Sequence, residues 1–88
     1  MADLHFELVT PERAVLSTDA HMVVVPGSEG DMGILAGHAP VMTTIRHGEI
    51  RIYSNPTTVV QRITVAGGFA EVNEAGLTVL AEQATLVA

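Results

Sequence analysis

The residues with the most chemical potential lie between positions 27 and 40. Gly27-Ser28-Glu29-Gly30-Asp31-Met32-Gly33 has the glycine content of a phosphate-cradling loop and follows an apolar run. Two carboxylates sit inside it and no lysine follows, so it would repel an anion. The oxygen ligands of a calcium loop are also missing at the required spacing. Glu29 and Asp31 form a close carboxylate pair, but exposed turn acids are ordinarily just solvated, and catalytic carboxylates need burial or an apolar cleft to tune them. Ser17, Ser28 and Ser54 lie outside any nucleophile-elbow pattern. The histidines His5, His21, His38 and His47 are not spaced as a local zinc motif. A hydrolase built on His38 and Asp31 is the one enzymatic arrangement these residues offer.

The stretch Asp31-Met32-Gly33-Ile34-Leu35-Ala36-Gly37-His38-Ala39-Pro40 reads as a short strand between two glycine-permitted turns, ending at a rigid proline corner. We expect this unit to bring Glu29, Asp31 and His38 near one another at a loop end. The alternative to a plain turn-strand-turn is a contact loop of negative charge, suited to a basic partner.

The elements that position these residues have a period of two. Leu4, Phe6 and Leu8 alternate with His5, Glu7 and Val9 up to Thr10-Pro11. Further strands are expected at Ala14–Thr18, His21–Val25, Asp31–Leu35, Val41–Ile45, Glu49–Tyr53, Val59–Val65, Phe69–Asn73, Gly76–Leu80 and Glu82–Val87. Pro26-Gly27 should stop the third, and Arg46-His47-Gly48 should form a hairpin loop closed by a left-handed glycine. Ile50 and Ile52 should face the core, with Arg51 and Tyr53 outward. About ten short strands with turn signals roughly every 8–12 residues indicate an all-β fold, a flattened antiparallel β-sandwich or barrel.

Composition bounds the rest. At 88 residues there is room for one small domain, read as residues 1–88. Such a domain buries only about 60–65% of the surface its unfolded chain exposes. Hydrophobic residues make up 48% of the chain and aromatics only 3%, so the core must be built from Val, Leu, Ile and Ala. The formal net charge of −6 disfavours nucleic acid and anionic lipid. There is no cysteine, which excludes disulfides, thiolate metal sites and cysteine nucleophiles and fits a reducing compartment. All four basic residues are arginines, so lysine chemistry is excluded as well. No apolar run approaches the roughly 20 residues of a membrane helix, and Met-Ala-Asp-Leu-His lacks the features of a signal peptide. Met22-Val23-Val24-Val25 is apolar on both faces, and Thr78-Val79-Leu80-Ala81 nearly so. Such strands are either central and covered or form a docking face.

The run from Val24 to Thr43, VVPGSEGDMGILAGHAPVMT, resembles the epsilon subunit of rotary F-type ATP synthases. Phe6–Glu12, Gly48–Ile52, Ala66–Val72 and Leu77–Glu82 resemble that family's other strands in order. The resemblance implies an N-terminal β-sandwich at the foot of the central stalk, binding the gamma subunit on one side and the c-subunit ring on another. It implies ring contact through Glu29, Asp31 and His38, and gamma contact near Thr10, Met22, Val24, Thr78 and Leu80. It implies a non-catalytic subunit of a proton-translocating complex, without cofactor or metal, held to the cytoplasmic face of a bacterial inner membrane only through that complex. The sequence stops at Leu86-Val87-Ala88, where typical family members continue into a helical hairpin. Inhibition by that hairpin and nucleotide binding are therefore not carried over. A bare gamma-facing patch could drive weak self-association of the isolated domain. The competing reading is an unrelated binding or adaptor sandwich. A sugar site of that kind would want exposed aromatics, for which only Tyr53 is a candidate.

Overall fold

A computed structural model describes residues 3–87. Met1 and Ala2, part of the stretch read for a leader, and Ala88 lie outside the described residues. Ten strands follow in order: β1 (Leu4–Thr10), β2 (Arg13–Ala20), β3 (Met22–Gly27), β4 (Gly30–Leu35), β5 (Val41–Ile45), β6 (Gly48–Asn55), β7 (Thr58–Val65), β8 (Gly68–Asn73), β9 (Gly76–Ala81) and β10 (Ala84–Val87). Among the described residues no helix is long and apolar enough to cross a membrane.

The strands form one curled, nearly closed sheet in the order β10-β7-β6-β3-β5-β8-β9-β1-β2, with β4 on the remaining edge of β3. All pairs are antiparallel except β1 with β9, where Phe6–Val9 run parallel to Leu77–Leu80. The end strands β2 and β10 do not pair; Arg13 and Val15 face Ala84 and Thr85 across a groove at this seam.

Alternation along each strand sends one set of side chains inward. Leu4, Phe6 and Leu8, Val23 and Val25, Ile34, Ile45, Ile50 and Ile52, Ile63 and Val65, Leu77 and Val79 form the core. No polar or charged residue is buried among the described residues. Arg51 and Tyr53 turn outward, as the alternation requires.

Two local expectations are corrected. Pro26 does not stop β3, which continues through it to Gly27. Proline supplies no N–H to a ladder, and the partner of β3 changes at this point. Met22–Val24 pair with Tyr53–Arg51 of β6, and Gly27 with Ile45 of β5. The Arg46-His47-Gly48 segment is a corner and not a hairpin, because β5 pairs with β8 and β3, and β6 with β7 and β3. Gly48 is not among the positive-φ glycines. Its small size is required instead by close approach, since a Cβ there would lie 2.9 Å from Cβ of Pro26.

Candidate functional site

β3 and β4 form a two-residue hairpin, with Gly27 opposite Gly30 and Ser28-Glu29 exposed at its tip. Gly30 has φ +135°, a conformation that disfavours any side chain. Asp31 follows immediately and is held from two directions. Nη2 of Arg46 donates to Asp31 Oδ1 at 2.7 Å, and Nη2 of Arg51 lies 3.5 Å from Oδ2. Arg46 also donates through Nε to the Gly27 carbonyl at 3.1 Å. Each carboxylate oxygen of Asp31 therefore has its own guanidinium. Among the described residues no ion pair reaches Glu29.

His38 does not join this pair, which corrects the expected convergence. β4 runs extended from Gly30 to Leu35, and His38 follows the far end of it. At roughly 3.3 Å per residue, Leu35 alone is about 13 Å from Asp31. His38 instead borders a shallow hollow with Asp3, His5, Leu35 and the β8–β9 turn at Asn73–Gly76. Its Nδ1–H donates to its neighbour's carbonyl, Ala39 O, at 2.7 Å.

The five residues expected to share a flank divide between two outer faces. Val24 is only 8% exposed, within the β4-β3-β6 region, with Met22 partly covered beside it. Both strand neighbours of Val24 contribute to its cover: the Arg51–Asp31 pair spans β3 from β6 to β4 above this stretch. The β3 run is thus a central, covered strand. Thr78 and Leu80 lie on the other face, where Leu80 is 54%, Phe69 54% and Met42 65% exposed. Met42, Phe69, Thr78 and Leu80 line one mostly apolar hollow, with Glu71 between Met42 and Thr78 as its single charged member. Val9, Thr10, Pro11, Phe69 and Leu80 line the next, of about 370 Å³. These residues form a continuous apolar strip across β5, β8, β9 and the end of β1. Met42 and Phe69 were missed from sequence, because only the pairing of β5 with β8 and of β8 with β9 sets them beside Leu80.

One polar cluster was also unforeseen. His5 Nδ1 lies 2.9 Å from Asp19 Oδ1, and Nε2 lies 3.2 Å from Glu7 Oε2 and 3.4 Å from Ser17 Oγ. The β1–β2 register places His5 opposite Asp19 and Glu7 opposite Ser17. The two carboxylates raise the His5 pKa above its ordinary value, Asp19 first and Glu7 second. Nε2, the ring nitrogen nearest Ser17, lies closer still to Glu7 Oε2, and Asp19 holds Nδ1, so the imidazole bridges two carboxylates instead of forming a serine-histidine-aspartate relay. Among the described residues no group of three or more histidines and carboxylates could hold a metal ion.

Comparison with known proteins gives this arrangement a context. The sequence profile of the family described as ATP synthase, Delta/Epsilon chain, beta-sandwich domain matches residues 3–87. The chain belongs to this family. It is 63% identical over 79 residues to the ATP synthase epsilon chain of Parvibaculum lavamentivorans, covering 90% of this chain and 59% of that one. It is 56% identical over 87 residues to the epsilon chain of Rhodospirillum centenum, covering 97% of this chain and 60% of that one. The chain thus spans about three-fifths of the length of these two relatives. The epsilon chain of Caulobacter vibrioides is 52% identical over 84 residues, with 96% of this chain and 95% of that one covered. Among solved structures, a chain in the Euglena gracilis mitochondrial ATP synthase (OSCP/F1/c-ring) superposes with TM-score 0.86 at 23% identity, over 98% of this chain and 54% of that one. A chain in the Tetrahymena thermophila mitochondrial ATP synthase central stalk and c-ring gives TM-score 0.75 at 16% identity, over 92% of this chain and 64% of that one. At these identities the structural likeness establishes the fold, the epsilon-type β-sandwich.

Proposed function

We propose that this chain is a non-catalytic central-stalk subunit of a rotary F-type ATP synthase, joining the gamma subunit to the c-subunit ring and transmitting rotation for ATP synthesis. Family membership and bacterial relatives named ATP synthase epsilon chain support the reading. On this reading the chain works at the cytoplasmic face of a bacterial inner membrane and meets the membrane only through the complex. It needs no cofactor, because its role is mechanical. A nearly closed hydrogen-bonded sheet around a close-packed aliphatic core resists deformation and passes force between its two contacts.

The observation that carries the proposal is the coexistence of an exposed apolar strip on one outer face and a charged turn at one end of the barrel. Apolar strips of this kind mark protein interfaces. We assign the strip, Thr10, Met42, Phe69, Thr78 and Leu80, to gamma, and the Glu29–Asp31 end to the ring. Met22 and Val24, on the other face, and His38, at the other end, fall outside this assignment. Co-purification with gamma tests it. Leu80→Glu should abolish co-elution, and Val60→Glu, an exposed position on β7, should preserve it. A wild-type chain that never co-elutes with gamma overturns the reading.

A further inference from the structure

The geometry points to Asp31 as an internal latch that holds the β3–β4 turn in place, leaving Glu29 as the carboxylate of that turn that meets a cationic partner group. The assignment of Glu29 rests on the ring-facing reading above; the latch does not.

The turn is tied to the β5–β6 corner by several bonds that converge on Arg46. Its amide donates to the Pro26 carbonyl at 2.9 Å, its Nε to the Gly27 carbonyl at 3.1 Å and its Nη2 to Asp31 at 2.7 Å. The Ser28 amide donates to the Thr44 carbonyl at 2.9 Å. Arg51, on β6, takes the second oxygen of Asp31. Both sides of the turn are thereby fastened: the backbone of 26–28 to β5 and its corner, and the Asp31 side chain to β5–β6 and β6.

Charge divides the two acids. Two guanidinium groups face one Asp31 carboxylate, so a further cation arriving there meets local positive excess. It would have to displace a bond of 2.7 Å to an arginine already organised by a backbone carbonyl. Glu29, two residues away at the hairpin tip, is exposed and carries its charge without an ion-pair partner among the described residues. It is the acid whose field is open to a lysine or arginine of a docking loop. Asp31 is a positioning residue for that contact.

Amide hydrogen exchange on the whole chain, without partners, tests the latch. Asp31→Asn and Arg46→Gln should each speed exchange at the Ser28 and Arg46 amides by about tenfold, the loss of a charge-assisted bond, and Glu29→Gln should leave both unchanged. The second measurement is the affinity of the chain for the gamma–c-ring subcomplex as a function of salt. Glu29→Gln should lower affinity and flatten the salt dependence, since a direct charge contact has gone. Asp31→Asn should lower affinity and keep the wild-type slope, and Asp31→Glu should restore part of the loss. Unchanged exchange in Asp31→Asn overturns the latch. A salt slope flattened by Asp31→Asn as much as by Glu29→Gln also overturns it, since Asp31 would then touch the partner itself. If exchange accelerates but neither acid affects ring binding, the latch stands and the ring-facing reading falls, taking the Glu29 contact with it.

Discussion

His5 on β1 and Asp19 on β2 face each other directly across an antiparallel pair, with Nδ1 2.9 Å from Oδ1, and Glu7 closes on the other ring nitrogen. The bond to Asp19, then that to Glu7, raises the histidine pKa above 6.5. A raised folded-state value means that protonation favours the folded chain. The contribution is fully present below pH 6.5 and disappears as pH rises through the raised value. Urea unfolding midpoints measured across this window should fall in the wild type. The same series in His5→Asn should lack that component. The His5 side chain is about half exposed to solvent, so the expected difference is small and should shrink in high salt.

Phe6 is fully buried and its strand pairs with both β2 and β9. Phe6→Ala should cost about 3–5 kcal/mol, a large share of the stability of a small domain. Ile63→Val, at an equally buried site on β7, should cost about 0.5–1.5 kcal/mol. Urea denaturation of the two variants gives both values.

Two glycines with positive φ should respond differently to alanine. Gly37 has φ +83° and no atom within 4 Å of a hypothetical Cβ, so Gly37→Ala carries backbone strain alone, about 1–2 kcal/mol. Gly68 has φ +126°, and a Cβ there would collide with the Leu80 carbonyl oxygen and lie 2.9 Å from the Ala81 Cα. Both obstacles are backbone of the paired strand β9, which cannot rotate away. Gly68→Ala should cost roughly 3 kcal/mol or more. Thermal melts of the two variants should rank them in this order.

Leu80 and Val24 separate contact from folding. Leu80→Glu places a charge where the side chain is already solvated, and its melting curve should stay within about 0.5 kcal/mol of the wild type. Val24→Glu puts a carboxylate into an 8% exposed site on a central strand, and should melt early or fail to fold. Circular dichroism of both variants, recorded before any gamma-binding assay, checks the distinction.

The strands were legible because alternation at Leu4–Leu8, Ile50–Tyr53 and elsewhere is a local property, and the glycine and proline positions punctuate it. What stayed hidden was nonlocal. Nothing near Asp31 in the sequence announces Arg46 and Arg51, which reach it only because β3 carries β4 on one edge and both β5 and β6 on the other. The separation of His38 from Asp31 could have been read from the strand expected between them, since an extended segment holds its two ends apart. Val24 looked like a contact because sequence shows apolar character but not the neighbouring strands that cover it. Met42 and Phe69 acquired their significance only once β8 lay between β5 and β9.

The parallel union of β1 with β9 joins Phe6–Val9 to Leu77–Leu80, segments about seventy residues apart in the sequence. During synthesis the first strand leaves the ribosome long before its mate exists, and one edge of it stays unsatisfied until about seventy more residues have emerged. The barrel therefore completes only after nearly all of these residues have been translated. In that interval the nascent chain is a natural client for any chaperone that shields exposed strand edges.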